Sequence, residues 1–206
     1  SALAKARVQL ELQVAERTQA LHEANEKLQQ LSMQDALTGL HNRHYVDSNI
    51  RQILSRAKRS GEPLTLALLD LDHFKQVNDK YGHLTGDKVL KHAAGLLKQN
   101  IRSEDILGRF GGEEFLLLFS MTDKEQALIQ VQRLMELVRN IAIAHPRSSV
   151  SKYVTISVGV ATMIPHLNDS LSEFISKADH ALYVAKSNGR NQYHIATVDQ
   201  TISETL

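Results

Sequence analysis

Residues 109–119 read "RFGGEEFLLLF". Two glycines and two glutamates stand side by side and run directly into the most strand-like segment of the chain. A strand interior disfavours Gly-Gly, which offers no side chain to pack. Adjacent carboxylates repel unless a cation sits between them. Strand character on both sides of Gly111 and Gly112 predicts a hairpin over 106–119 with the glycines at its turn. Without a Cβ, the turn could adopt φ > 0 and let a phosphate approach its N–H groups. The plain alternative is an ordinary Gly-Gly hairpin with solvated glutamates.

The segment "LTLALLDLD", 64–72, is a near-continuous apolar run and reads as a buried strand. Asp70 and Asp72 lie at its C-terminal end, where α/β sheets place ligands. A carboxylate buried there without a partner costs several kcal/mol, so it calls for a cation. Asp72 reads equally well as a cap for the helix that begins near His73. Asp70, inside the apolar run, does not. Glu113 and Glu114 point to opposite faces of a strand, yet both reach one metal centre if the turn is twisted. Asp70, Glu113 and Glu114 form an all-oxygen set that suits Mg²⁺ or Mn²⁺ and not zinc.

Around these two segments helices and strands alternate. "HYVDSNIRQILSRAKRS", 44–60, is an amphipathic helix stopped by Gly61 and Pro63. A short helix passes through Phe74 and Val77, "YGHLTGD" (81–87) reads as a turn, and 87–99 as a further helix. Residues 123–142 and 171–187 are helical; "YVTISVGVAT" (153–162) and "NQYHIA" (191–196) are strands. A hairpin amid this alternation predicts an α+β fold. Its core is a central mixed, mainly antiparallel five-stranded sheet surrounded by helices, preceded by a long N-terminal helix.

Two further groups could meet a nucleotide. "AKSNGRNQY", 185–193, carries Lys186 and Arg190 around Gly189. They could neutralise a polyphosphate, or simply decorate a glycine-capped helix end. Asn78 and Asp87 suit guanine: a carboxylate accepts from its N1 and N2 hydrogens, and an amide donates to O6. Asn and Asp are also ordinary turn formers.

Composition narrows the alternatives. The chain has 206 residues, 42% apolar and 23% charged, with a formal net charge of +1. No global field steers it to nucleic acid or anionic lipid. Cysteine is absent, which excludes disulfides, thiolate zinc sites and a thiol nucleophile, and fits a reducing compartment. Trp is absent and aromatics are 5%, so no stacking platform for bases is expected. No apolar run approaches a membrane span and no signal peptide is evident. A start at Ser1 in mid-helix suggests a piece of a longer protein, with room upstream for a sensor or an inner-membrane anchor.

Residues 1–33 lack Gly and Pro and are rich in helix formers. Val14, Leu21 and Leu28 recur every seventh position, and Leu3, Leu10, Ala24 and Leu31 fill the second seam position. Arg7 and Arg17 interrupt the pattern. Roughly four heptads of this kind read as a parallel two-stranded coiled coil, or as one amphipathic helix lying on its own domain. The expected organisation is a signalling and dimerisation helix over 1–33, a catalytic domain over 34–198 and a tail over 199–206.

These motifs, in this order, resemble the GGDEF domain of the diguanylate cyclases. Gly111-Gly112-Glu113-Glu114-Phe115 is the common Glu variant of the family motif. "DALTGLHNR" (35–43) resembles the entry signature, "LDLDHFKQVNDKYGHLTGD" (69–87) the metal and guanine segment, and "ADHALYVAKSNGRN" (178–191) the closing helix. The likeness spans about residues 34–195 and implies a nucleotidyl-cyclase or palm-like sheet. It implies that Asp70, the Leu71 carbonyl, Glu113 and Glu114 hold two Mg²⁺ ions, with Mn²⁺ as an alternative. Asn78 and Asp87 would read guanine. Phe74, Lys75, His83, Gly111, Gly112, Lys186 and Arg190 would complete the GTP site.

The implied reaction joins two GTP into cyclic di-GMP and two pyrophosphates in a homodimer, in a bacterial cytoplasm. Glu113 is the implied proton acceptor or metal orienter. "RSED", 102–105, matches the family's RxxD inhibitory site, and the five residues Ile106 to Phe110 separate it from the glycines as in the family. Arg102 and Asp105 would bind the product, with Arg133 as a secondary contact; a surface salt bridge is the plain reading. Two other readings are a silent cyclic di-GMP receptor and a GTP-binding dimerisation module.

Overall fold

The computed structural model describes residues 2–31, 33–140, 143 and 148–196. The expected tail over 199–206 and the expected helical residues 141 and 142 lie outside the described residues. Contacts divide the chain into two units, residues 1–33 and 34–206. The first is a single helix, α1 (Ala2–Leu31). Its seam residues Leu10, Val14, Leu21 and Leu28 are 56–71% exposed. Its described pairs are local, such as Arg7 to Glu11 at 2.8 Å.

The second unit is built on five strands: β1 (Leu64–Leu71), β2 (Ile106–Arg109), β3 (Glu114–Ser120), β4 (Ile156–Met163) and β5 (Tyr193–Ile195). Their order is β2-β3-β1-β4-β5. β1 pairs antiparallel with both β3 and β4, and only β5 runs parallel to its neighbour. β1 is central and buried on both faces, which explains its unbroken apolar run. Period-2 alternation then sorts its side chains. Leu66 and Leu68 pack with α2 (Arg43–Ser60) and α6 (Leu171–Ser187). Ala67, Leu69 and Leu71 pack with α3 (Phe74–Tyr81), α4 (His83–Gln99) and α5 (Lys124–Asn140).

Helix ends carry recognisable chemistry. Asn42 caps α2 by accepting from the Tyr45 N–H, and Ser170 with Glu173 forms a capping box on α6. α6 lies against β4 at Gly159, where any Cβ would overlap the Ala178 carbonyl oxygen and the Leu182 nitrogen. The sheet thus holds α6, and with it Lys186, at backbone-contact distance.

Two expectations for this region are corrected. The stretch 81–87 is not one long turn: only Gly82, at φ 80°, interrupts the chain, and α4 begins at His83. Asp87 therefore sits on a helix. Asp72 does not cap α3, whose preceding residue His73 is left-handed and makes no side-chain cap. Asp72 turns into the protein instead, because hydroxyl and amide donors wait there.

Candidate active site

The candidate site forms where β1 ends beside the β2–β3 hairpin. Asp70 and Glu114 are directly paired in the β1–β3 register. Opposed residues project from the same face of the sheet, so two carboxylates approach each other. Asp70 is 6% exposed, and its Oδ2 accepts from Lys186 Nζ at 2.7 Å. Burial pushes its pKa up to about 6; Lys186 pulls it down, while the charges of Glu113 and Glu114 push it up again. One ammonium thus pairs with a carboxylate that also feels the charges of two others. Among the described residues no three acids or histidines are gathered closely enough to enclose an ion. The donor set nevertheless fits a hard divalent cation: desolvated, all oxygen and under-neutralised. Lys186 occupies the position of a stand-in cation on Asp70.

The glycines act differently from the expectation. Neither Gly111 nor Gly112 has positive φ. The hairpin closes through the Glu114 carbonyl, which accepts from the N–H groups of Phe110 at 2.8 Å and Gly111 at 3.3 Å. A Cβ on Gly111 would stand 2.6 Å from Glu114 Oε2, so its bare backbone makes room for that carboxylate. Nothing lies within 4 Å of the corresponding position on Gly112, which leaves space for a ligand.

Arg109 and Asp35 secure the hairpin, and neither stood out as a site residue in the sequence. Arg109 donates to the Gly112 carbonyl from Nε at 3.1 Å and Nη2 at 2.7 Å, and its Nη1 lies 3.2 Å from both Asp35 oxygens. Asp35 also accepts the Thr38 N–H at 2.8 Å and hydroxyl at 2.6 Å. Burial pulls its pKa up, but Thr38 and Arg109 outweigh that and leave it below the ordinary value. Their places at the heads of the segments 35–43 and 109–119 were the available signal. From the other side, the Arg43 guanidinium lies 4.3 Å over the Phe110 ring.

The remaining candidates spread around this corner. Leu71 is buried and its N–H donates to the Glu113 carbonyl at 3.3 Å. Phe74 is 6% exposed within the core, so only its backbone faces a ligand; Lys75 and His83 are exposed. Asn78 on α3 and Asp87 on α4 stand on the two sides of the elbow, both half-buried. A Cβ on Gly86 would overlap the Asn78 carboxamide and come within 3.1 Å of Phe74 Cζ, so the bare helix turn receives Asn78. Arg190 is half-buried in a left-handed turn at the end of α6.

The segment 102–105 lies elsewhere. Asp105 accepts from the N–H of Arg102 in its own loop at 3.2 Å and from that of Ser120 at the end of β3 at 3.4 Å. Burial raises its pKa against those two bonds. Arg102 is exposed at the rim of a cavity of about 370 Å³ that Lys98, His41 and Gln34 also line. Arg133 donates to the Asn100 carbonyl at 2.6 Å, beside the same loop.

The family model described as "Diguanylate cyclase, GGDEF domain" matches residues 32–192. The chain belongs to the GGDEF family. This GGDEF domain is 38% identical over 177 residues to the diguanylate cyclase DgcP of Pseudomonas aeruginosa, covering 86% of the chain and 26% of that protein. It is 36% identical over 188 residues to the response regulator PleD of Caulobacter vibrioides, covering 90% of the chain and 41% of that protein. The chain therefore spans less than half the length of either relative. Among solved structures it resembles the coiled coil and GGDEF domain of DgcB from Caulobacter crescentus in complex with c-di-GMP. That match has a TM-score of 0.74 at 30% identity, covering 91% of this chain and 99% of that one. The active GGEEF domain of a Vibrio cholerae diguanylate cyclase matches at TM-score 0.66 and 32% identity, covering 77% and 98%. Among the described residues no helix is long and apolar enough to cross a membrane.

Proposed function

We propose that this chain carries the catalytic domain of a diguanylate cyclase, which condenses two GTP into cyclic di-GMP and two pyrophosphates. The observation that carries the reading is the under-neutralised pair Asp70 and Glu114, matched across β1 and β3 at the head of an open hairpin. Each new bond joins a 3′-oxygen to the α-phosphorus of the other nucleotide. Each broken bond releases pyrophosphate, and the 3′-hydroxyl proton leaves to a base. Mg²⁺ or Mn²⁺, when bound, supplies charge neutralisation and a lowered hydroxyl pKa.

Asp70, Glu113, Glu114 and the Leu71 carbonyl would hold those ions, with Glu113 also able to receive the proton. Asn78 and Asp87 read the guanine edge, with His83 beside them at the start of α4. Lys75, Lys186 and Arg190 hold the triphosphate together with the backbone at Phe74 and at the glycine turn. One GTP per domain requires two domains to face each other. The exposed heptad seam of α1 supports a parallel coiled coil as the joining element, which raises effective concentration to the mM range. Product bound at Arg102, Asp105 and Arg133 would restrain turnover; for that, Asp105 must release the N–H groups it now accepts. We place the reaction in a bacterial cytoplasm, where GTP is supplied.

Incubation of the purified chain with GTP and Mg²⁺, with mass detection of cyclic di-GMP, tests the activity. Product formation that stops in Glu114→Gln is the expected result. GTP binding without turnover in the dimeric wild type would reduce the domain to a binding module. Arg102→Ala should relieve product inhibition and leave synthesis intact; unchanged inhibition would remove that site.

A further inference from the structure

Asp72 is the most deeply buried carboxylate beside the candidate site, at 2% exposure. Its oxygens are both engaged. Oδ1 accepts from the Ser157 hydroxyl at 2.6 Å; Oδ2 accepts from the Thr155 hydroxyl at 2.7 Å and from the Asn191 N–H at 3.0 Å. Three donors satisfy a charge that would otherwise be costly to bury.

The Asn191 N–H belongs to an unusual turn. Gly189, Arg190 and Asn191 all have positive φ, at 110°, 63° and 48°. For the two residues with a Cβ this conformation is strained and persists only where the surroundings impose it. The Arg190 N–H donates to the Ala185 carbonyl at 3.1 Å, and the Gln192 side chain donates to the Ala185 and Asn188 carbonyls at 3.1 and 2.7 Å. Those bonds tie the turn to α6. The bond to Asp72 ties it to β1, two residues from Asp70.

We propose that Asp72 is a positioning residue for the nucleotide polyphosphate: by accepting the Asn191 N–H it holds the left-handed turn that carries Arg190 beside the tip of β1. Asp72 itself touches no substrate. Both of its oxygens are spent on protein donors, whereas at Asp70 it is Oδ2 that is engaged, by Lys186. The inference rests on the functional reading above, in which Arg190 meets phosphate. It extends that reading by naming what fixes Arg190 in place and which part of the ligand is affected. Asparagine at 72 would remove the charge and one acceptor oxygen; the Ser157 or Thr155 hydroxyl can turn to accept from the new amide, but the Asn191 N–H can only donate, and its bond loses charge assistance. The turn would then relax, and the guanidinium with it.

The test is calorimetric titration of the full chain with GTP, used as its α,β-methylene form that cannot release pyrophosphate, and with GMP, in the presence of Mg²⁺. Wild type is compared with Asp72→Asn, Arg190→Ala and the double variant. Loss of one charge-assisted contact is worth about tenfold in affinity. Asp72→Asn should weaken GTP by about that factor and leave GMP nearly unchanged, so that the preference for the triphosphate collapses. Arg190→Ala should do the same, and the double variant should bind no more weakly than Arg190→Ala alone. Thr155→Ala, which strips one donor from the same Oδ2, should shift the GTP-to-GMP ratio in the same direction by a smaller factor; it serves if Asp72→Asn does not fold. A lowered Tm with an unchanged ratio would make Asp72 merely structural and overturn the inference. So would fully additive losses in the double variant. Absence of GTP binding by the wild type would overturn the functional reading and this inference with it.

Discussion

Two acid–base pairs flank the hairpin, and their chemistry differs in sign. On the entry side, Asp35 and Arg109 meet at 3.2 Å, with Thr38 supplying two further donors. On the β1 side, Asp70 and Lys186 meet at the shorter distance of 2.7 Å. The shorter pair is the less contented one. The Asp35 pKa falls below its ordinary value, whereas that of Asp70 is pushed up to about 6. Asp70 is more deeply buried, has no hydroxyl or amide donor to assist Lys186, and feels the charges of Glu113 and Glu114. Distance alone does not rank ion pairs; what else surrounds the charge does. The entry-side pair closes the structure, and the β1-side pair leaves charge over for a ligand to neutralise.

The sharpest way to break this contrast is catalytic. Glu114→Gln or Asp70→Asn should lower cyclic di-GMP formation by about a thousandfold or more, as expected for loss of a metal-holding oxygen. Near-normal turnover by either variant, measured by mass of product, would show that the β1-side charge has no chemical use. The next effect is on stability. Asp35→Ala leaves Arg109 partly buried and unpaired and should cost about 2–3 kcal/mol in urea unfolding. Asp70→Asn in metal-free protein should cost far less, because it relieves repulsion; equal losses would erase the difference between the pairs.

The pH dependence separates them further. The depressed Asp35 pKa contributes stability that is present above its unfolded value of 3.8 and is lost as pH falls through the lower folded value. The raised Asp70 pKa works the other way: in metal-free protein its contribution is greatest below 3.8 and declines as pH rises to about 6. Tm measured across this range should decline less in Asp70→Asn than in wild type, and should lose its acid-side fall in Asp35→Asn. The smallest effect concerns Lys186. Its removal in Lys186→Met should raise the Asp70 pKa further, as read by carboxyl NMR titration; a downward shift would mean that Lys186 does not stabilise the carboxylate.

Much of the fold was legible in order. The apolar run of β1, the hairpin around Gly111 and Gly112, and the helix over 171–187 each carry local signals that tertiary contacts reinforce. The α3–α4 elbow was misread because "HLTGD" looks like turn chemistry, yet Gly82 alone supplies the break. Asp70 and Glu114 could be nominated from spacing to an apolar strand and a glycine turn. The partnership of Asp35 with Arg109 could not: each opens a quoted segment, 35–43 and 109–119, but the residues are far apart in sequence and nothing local joins them. For Asp72 the sequence left a helix cap as one of two readings, because a cap is a local event, whereas its donors come from the start of β4, the residue before it and the turn after α6.

By itself the sequence determined residue chemistry, periodicity and order: which segments are apolar on one face or both, where glycine permits a bend, and which acids stand near an apolar strand end. Only the tertiary structure decided pairing and satisfaction. It put Asp70 opposite Glu114, Asp72 under the turn that carries Arg190, and Arg109 across from Asp35. The reason is physical. Backbone and side-chain preferences act over a few residues, but desolvation and charge balance depend on every group that packing brings near, whatever its place in the chain.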